Sequence, residues 1–210
     1  MKYGDISFPG LGIQWNPGRY LEIGPLTIYY YGIVIALGLL LAVLYGMRRS
    51  KDFGLKQDDI LDGVLWIVPV AIICARAYYC IFSWEDYARN PVSVLYIWEG
   101  GLAIYGGVIG AALCIVLFCK LKKISLGATL DVVALGFLIG QAIGRWGNFF
   151  NREAFGAPTE SFLRMGLYNT LTEEFEYYHP TFVYESLGTR LVLRCCTFCP
   201  KSASMTGRLP

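Results

Sequence analysis

The residues best suited to chemistry lie in the segment 144–156, which reads GRWGNFFNREAFG. It places Arg145, Asn148, Asn151 and Glu153 between glycines and aromatic rings. An arginine side chain can hold a phosphate through two parallel hydrogen bonds, and asparagines can pair exposed backbone groups where a chain turns at a membrane surface. The segment is therefore typical of a re-entrant or interfacial loop that binds a phosphate or a lipid head group.

The elements that must position this segment are membrane helices. Of the 210 residues, 55% are hydrophobic and 16% are charged, with a mean hydropathy of +0.47; soluble domains carry about 25% charged residues. Four stretches approach the roughly 20 apolar residues that a spanning helix needs, namely residues 24–47, 60–82, 100–119 and 126–146. The composition excludes a disordered or fibrous chain and predicts an all-α, polytopic membrane bundle of about four to five spanning helices with an outward-facing loop domain.

Basic residues set the predicted orientation. They cluster after the first and third apolar stretches, which four helices place on one side: Arg48, Arg49, Lys51 and Lys56, then Lys120, Lys122 and Lys123. By the positive-inside rule this side is cytoplasmic, so the N-terminus, the connection 83–99 and everything after Trp146 are expected outside. The net charge is only +2, and these short clusters give no basic face of the kind that nucleic acid requires.

Four polar side chains are expected to meet near the outer leaflet. Tyr31 lies about seven residues, roughly 10 Å, into the first predicted helix. Arg76 lies near the outer end of the second, Tyr105 near the start of the third and Arg145 at the end of the fourth. Charge inside a membrane is usually functional. For each residue alone a simpler interpretation stays open, in which the arginines extend to the interface and the tyrosines belong to an aromatic belt.

Small residues within the apolar stretches are interpreted as packing residues. Glycine recurs at every fourth position, which favours close helix contact over a ligand cradle; these glycines are Gly106, Gly110, Gly136, Gly140 and Gly144. The cysteines of the apolar stretches are expected to pack as small hydrophobic residues; they are Cys74, Cys80, Cys114 and Cys119. Cys195, Cys196 and Cys199 lack a fourth ligand and a neighbouring histidine, so no metal site is expected there.

The pattern Gly-Arg-x-Gly-Asn-Phe-x-Asn-x-Glu-x-x-Gly of residues 144–156 resembles the signature of the bacterial prolipoprotein diacylglyceryl transferases. Further similarities, all within residues 1–185, are Tyr30-Tyr31-Gly32, Arg76, Gly100-Gly101, Tyr105-Gly106-Gly107 and the run HPTFVYE at 179–185.

The resemblance implies an enzyme that moves the diacylglyceryl group of phosphatidylglycerol onto the lipobox cysteine thiol in a prolipoprotein signal peptide. The products are a thioether and glycerol phosphate. It also implies a multi-pass protein of the bacterial inner (plasma) membrane with its active-site loop outside, and no cofactor is expected.

The resemblance also assigns expected roles to residues. Arg145 would bind the phosphate of the leaving group, and Asn148 and Glu153 would position that arginine or the glycerol head group. Tyr105 occupies the position where many family members have histidine; since a phenol is a poor base near neutral pH, Tyr105 is expected to hydrogen-bond the substrate, and the base is left unassigned. The remaining substrate-binding residues implied are Tyr31, Arg76, Asn151, Gly156, His179, Tyr184 and Glu185.

His179 is the only histidine, and two interpretations of it stay open. It is an alternative base for the thiol, because histidine titrates near neutral pH. The simpler interpretation is that a histidine before a proline bridges backbone groups of the loop, while Tyr184 and Glu185 complete a polar network.

The sequence predicts two parts, a membrane-embedded transferase core over 1–185 and an atypical basic, cysteine-containing tail over 186–210. Family members continue with further spanning helices, whereas the longest apolar run of the tail is Leu191-Val192-Leu193, too short to span a bilayer. The core is therefore expected to be incomplete, with a truncated or frame-shifted end. The alternatives to an active transferase are an inactive truncated one, a membrane transporter and a non-catalytic helical scaffold.

Overall fold

A computed structural model of the chain describes residues 3–24, 26–88, 90–97 and 100–198. The chain forms two compact units. The terminal unit consists of Met1–Ala42 and Leu135–Pro210, and the central unit consists of Val43–Ala134.

The described residues form six α-helices. They are α1 (Tyr30–Arg49), α2 (Gln57–Phe82), α3 (Trp84–Tyr87), α4 (Ile104–Lys122), α5 (Leu126–Asn151) and α6 (Thr181–Phe198). Within the described ranges, α1 with the short turn after it, α2, α4 and α5 are the four helices long and apolar enough to cross a membrane. The predicted polytopic helical membrane fold is confirmed, and the four such helices in the described residues agree with the expected four to five. The helix α6 is less apolar because it carries Arg190 and Arg194.

The first helix begins later than predicted. Residues 20–29 form a hairpin of two strands, β3 (Tyr20–Ile23) and β4 (Leu26–Tyr29), instead of joining the helix from residue 24. Gly24 has a positive φ of 61°, which a glycine adopts without strain where the chain reverses. A short apolar run does not distinguish a strand from a helix, which is why the predicted start was wrong. Tyr31 consequently lies at the beginning of α1 and not two turns into it.

The predicted outward-facing loop domain contains a small sheet that the sequence analysis did not foresee. Its strands lie in the antiparallel order β2 (Ile13–Trp15), β1 (Tyr3–Phe8), β5 (Met165–Asn169) and β6 (Glu174–Tyr178). Ile6 pairs with Leu167, and both side chains are almost fully buried. They share one hydrophobic core with Phe149 of α5 and Phe182 of α6. The sheet therefore packs against the end of α5.

The signature segment is mostly helical. The helix α5 continues to Asn151, so the expected re-entrant loop over 144–156 is wrong for its first eight residues. The helix continues because Phe149 packs into the core, where its burial stabilises one more turn. The chain leaves the helix at Arg152 and Ala154, which have positive φ values of 57° and 51°. Only residues 152–156 form the loop.

Close glycine packing is confirmed in the central unit. A Cβ atom added to Gly106 would lie 2.4 Å from the carbonyl oxygen of Cys74, and one added to Gly110 would lie 2.5 Å from the Cβ of Cys74. The helices α2 and α4 thus meet through backbone surfaces. The glycines of α5 are looser, since a Cβ on Gly140 would meet nothing within 4 Å.

The cysteines of the helices pack as predicted. Cys80 and Cys119 are buried, and Cys74 and Cys114 are half-buried. Near the end of α6, Cys195 and Cys196 are exposed. Cys199 and the rest of the predicted tail beyond it lie outside the described residues. The predicted boundary at residue 185 falls inside α6.

We predict that Gly106→Ala separates α2 from α4 and lowers the free energy of unfolding by about 1–3 kcal/mol, because the added methyl group overlaps backbone atoms. Thermal unfolding in detergent measures the effect. Gly140→Ala is the matched control, since its methyl group enters open space. Equal melting temperatures for the two variants would contradict this account of the packing.

Candidate active site

The side chain of Arg145 lies near the end of α5 and pairs with a carboxylate of α6. Its Nη2 atom is 2.5 Å from Oε2 of Glu185. The two side chains are 30% and 38% exposed, so the pair borders solvent. Arg145 Nη1 also lies 3.4 Å from Oδ1 of Asn148, a long hydrogen bond. Arg145 is thus held between two partners that an incoming anion could replace.

Glu153 accepts hydrogen bonds from both asparagines of the signature. The Nδ2 atoms of Asn148 and Asn151 each lie 3.1 Å from its Oε1 atom. Asn148 and Asn151 are three residues apart and therefore share one face of α5. The backbone N–H of Glu153 donates to the carbonyl of Asn148 at 3.0 Å, which brings the carboxylate back over that face. The sequence-predicted residues Arg145, Asn148, Asn151, Glu153 and Glu185 therefore form one connected network.

A second polar group lies where the loop after α5 meets the start of α6. His179 Nδ1 is 3.3 Å from the hydroxyl of Tyr184. The N–H of Gly156 donates to the carbonyl of His179, and the N–H of His179 donates to Ala157. A Cβ on Gly156 would lie 2.9 Å from the Cβ of His179. Both interpretations of the His179 side chain stay predictions, and Gly156 permits the close approach of His179.

Two residues that the sequence analysis did not single out fasten α5 to α6. Trp146 Nε1 donates to Oγ of Ser186 at 3.3 Å, and Ser186 Oγ donates to the carbonyl of Ala142 at 2.8 Å. Ser186 is buried, and the Trp146 ring packs edge-on against Phe182. A serine one residue after Glu185 gives no sequence signal for such a bond, since only the packed helices bring it to α5.

Tyr31 packs against the glycine of the signature. A Cβ on Gly147 would lie 2.7 Å from Cδ2 of the Tyr31 ring. The ring thus occupies the space that any larger residue would take, and Tyr31 keeps 38% of its surface exposed. This contact places Tyr31 beside the helix turn that carries Arg145 and Asn148.

Arg76 and Tyr105 lie in the central unit. Arg76 is 6% exposed, and its guanidinium group donates five hydrogen bonds to backbone carbonyls. The five acceptors are Val94 (2.8 Å), Gly100 (2.7 Å), Gly101 (3.0 Å), Ser93 (2.8 Å) and Tyr96 (3.3 Å). Its predicted role in substrate binding stays a prediction, but this geometry is that of a clamp on the connection between α2 and α4. Tyr105, near the start of α4, is 71% exposed.

The terminal-unit network combines a partly exposed cation with fixed amides and carboxylates. A guanidinium of this kind can bind a phosphate through two hydrogen bonds when the phosphate displaces Glu185 or Asn148. The amides cannot rotate freely, because Glu153 holds both. The arrangement is suited to stabilising the negative charge of a phosphate leaving group.

The chain is similar in sequence to a family of known proteins. A family model described as prolipoprotein diacylglyceryl transferase matches residues 19–208, and so extends past residue 185, where the sequence analysis ended the resemblance. The chain is 47% identical over 182 residues to the phosphatidylglycerol–prolipoprotein diacylglyceryl transferase of Bacillus velezensis, covering 84% of this chain and 67% of the relative. It is 47% identical to the protein of the same name from Halalkalibacterium halodurans, covering 80% and 60%. The Lactiplantibacillus plantarum protein of that name is 42% identical, covering 80% and 61%. The chain spans about three fifths to two thirds of the length of these relatives.

The Arg76 clamp yields a prediction. Arg76→Lys keeps the positive charge but provides fewer N–H groups and no planar fork, so carbonyls in 93–101 lose their partners. We expect faster amide hydrogen exchange in residues 90–97, measured by mass spectrometry. Arg48→Lys changes an exposed arginine of the same unit and is the matched control. Unchanged exchange in Arg76→Lys would contradict the clamp.

Proposed function

The chain belongs to the prolipoprotein diacylglyceryl transferase family, and from that premise we propose that it lipidates secreted precursors. It transfers the diacylglyceryl group of phosphatidylglycerol to the lipobox cysteine thiol in the signal peptide of a prolipoprotein. The thiol sulfur attacks the diacylglycerol carbon that is bonded to a phosphate oxygen. A C–S bond forms, and the bond from that carbon to the phosphate oxygen breaks. The thiol proton is released to water, and glycerol phosphate leaves with the electron pair of the broken bond.

The observation that carries the proposal is the network around Arg145 and Glu153. Breaking the C–O bond places negative charge on the phosphate, so the transition state gains from a donor that is already aligned. Arg145 is that donor, and in the free protein Glu185 holds its Nη2 atom in place. When the lipid binds, its phosphate takes the position of one of the present acceptors and forms the two-armed pair.

The amides and Glu153 align this arginine. Because Asn148 Nδ2 is bound to Glu153, Oδ1 of the same amide faces Nη1 of Arg145. Asn151 supports Glu153 from the next turn. Glu153 and Asn148 therefore act on the phosphate through Arg145, and Asn148 or Asn151 can bind the glycerol hydroxyls once the lipid is present.

The thiol and the head group need further polar contacts. Tyr31, Tyr184 and His179 border the same helix and loop of the terminal unit, and we assign them to the glycerol head group and the peptide around the cysteine. Tyr105 is exposed and able to donate a hydrogen bond to the substrate. The His179 imidazole contacts the Tyr184 hydroxyl through Nδ1, and this contact supports a positioning role for His179.

The alternatives have less support. A transporter would carry charge along a path through both leaflets, but Asp62, in the second turn of α2, forms a salt bridge with Lys122 at the end of α4. A helical scaffold gives no reason for an arginine, two amides and two carboxylates to share one network.

The family and the basic clusters support an orientation in the inner (plasma) membrane of a bacterium. In this orientation the network and the sheet β2-β1-β5-β6, called the N-terminal sheet after its strands β1 and β2, lie on the outer face. We predict that single cysteines at Asp86 and Glu160, in a variant without the native cysteines, react with a membrane-impermeant maleimide in intact cells. A cysteine at Lys51 should react only after permeabilisation. All three positions are exposed, so burial does not limit the reaction. The opposite labelling pattern would overturn the orientation.

The activity itself is tested with the whole chain in phosphatidylglycerol vesicles and a labelled lipobox peptide. We expect diacylglyceryl transfer to the peptide, none to a peptide with serine in place of cysteine, and none from phosphatidylcholine vesicles. Arg145→Ala should lower kcat by about 100- to 1,000-fold, the range seen when one charge-stabilising donor is removed. The kcat of Arg145→Lys should lie between those of the unmodified chain and Arg145→Ala, because lysine keeps the positive charge but lacks the planar fork of donors.

The control for these variants is Arg164→Ala, which removes an arginine of the same unit that bonds only to neighbouring carbonyls among its described hydrogen bonds. It should leave transfer unchanged. Full activity of Arg145→Ala would remove Arg145 from the phosphate site, and no transfer by the unmodified chain would contradict the proposed function.

A further inference from the structure

Arg152 is a buried arginine at the start of the loop after α5, next to Glu153 of the polar network. It is 6% exposed, although its neighbours Asn151 and Glu153 both take part in the polar network. Burial lowers the pKa of the Arg152 guanidinium below its usual range; the nearby Arg19 cation adds to the lowering and Asp5 opposes it. Since arginine remains charged in proteins, its N–H groups require acceptors.

Those acceptors come from the other end of the sequence. Arg152 Nε donates to the carbonyl of Gly4 in β1 at 2.5 Å. Its Nη2 atom donates to Oδ1 of Asn16 at 2.9 Å and to the carbonyl of Pro17 at 2.8 Å. Its Nη1 atom donates to the carbonyl of Phe150 at 2.9 Å. The side chain therefore joins the N-terminal sheet and the residues after β2 to the last turn of α5.

The backbone conformation of Arg152 directs its side chain and the following residue, Glu153, to different parts of the structure. With φ at 57°, the side chain enters the sheet side while the next residue turns back over α5. The N–H of Arg152 donates to Phe149 and that of Glu153 donates to Asn148. An L residue adopts this φ only when its surroundings favour it, and the four hydrogen bonds of the guanidinium provide that preference.

We propose that Arg152 is a positioning residue that uses the N-terminal sheet to fix the Glu153 carboxylate against Asn148 and, through Asn148, the guanidinium of Arg145. This inference rests on the proposed transferase function, in which Arg145 binds the phosphate. Arg152 does not touch the lipid. Its effect on transfer passes through Glu153.

The test uses a double-mutant cycle in the whole chain. Arg152→Gly places at this position a residue that tolerates the positive φ, and it removes the whole side chain, including the guanidinium. We expect it to lower kcat by about 100-fold, as misplacement of a catalytic group does. If Arg152 acts through Glu153, the double variant Arg152→Gly with Glu153→Ala should match Glu153→Ala alone within about twofold. Multiplied losses, or a fully active Arg152→Gly variant, would overturn the proposal.

A matched control separates this effect from the change to glycine. Glu173 has nearly the same φ of 58° and lies in the turn between β5 and β6. Glu173→Gly should leave kcat unchanged. Asn16→Ala removes one acceptor of Arg152 and is a milder second variant, which should lose less activity than Arg152→Gly and show the same dependence on Glu153. If the Asn16→Ala and Glu153→Ala losses multiply, the proposal is overturned.

A measurement independent of activity distinguishes this inference from the proposed function. Arg152→Gly should raise amide exchange at Glu153 and Gly4, and Glu173→Gly should not. If the unmodified chain transfers no lipid but Arg152→Gly still raises exchange in this pattern, the transferase proposal fails and the positioning role of Arg152 stands. If exchange at Glu153 is the same with and without the Arg152 side chain, the positioning is overturned.

Discussion

A guanidinium that leaves bulk water must find an acceptor for its N–H groups, and this requirement organises the polar parts of the chain. Arg76 meets it with backbone carbonyls of one connection. Arg152 meets it with a carbonyl of β1, a carbonyl of α5, and the Asn16 amide and Pro17 carbonyl that follow β2. Arg145 meets it with the side chains of Glu185 and Asn148 near solvent. Backbone carbonyls such as those around Arg76 are fixed by the fold. The side chains of Glu185 and Asn148 can move away from Arg145 when a ligand binds. Of these three arginines, Arg145 has the partners that suit the proposed exchange for a phosphate.

The end of α5 carries apolar and polar functions on neighbouring residues. Phe149 packs into the core with Ile6, Leu167 and Phe182, which fixes the rotation of the helix. With the rotation fixed, Asn148 and Asn151 lie on a different face, where Glu153 accepts from both. The polar network thus depends on a hydrophobic core built from strands far away in the sequence, which gives the small sheet a role in placing the site.

Much of the bundle and of the site could be predicted from sequence, because apolar length and residue type are local properties. The four long helices and the grouping of Arg145, Asn148, Asn151 and Glu153 follow from such local patterns. The hairpin at 20–29 could not, since an apolar run of that length suits a strand as well as a helix. The partners of Arg76 and Arg152 could not either. Apart from the Asn16 side chain, they are backbone carbonyls brought close by folding, and a backbone carbonyl has no sequence signature.

The helix α6 cannot be divided at residue 185 in a physical sense. Its first turns supply Phe182 to the core and Glu185 to Arg145, and the next residue, Ser186, bonds both Trp146 and the carbonyl of Ala142. The Ser186 bonds hold α6 against α5 and so keep Glu185 within reach of Arg145. Residues on both sides of the boundary drawn from composition therefore serve the same site. A change of composition along a chain marks a change of environment, while the limits of a functional unit are set by its contacts.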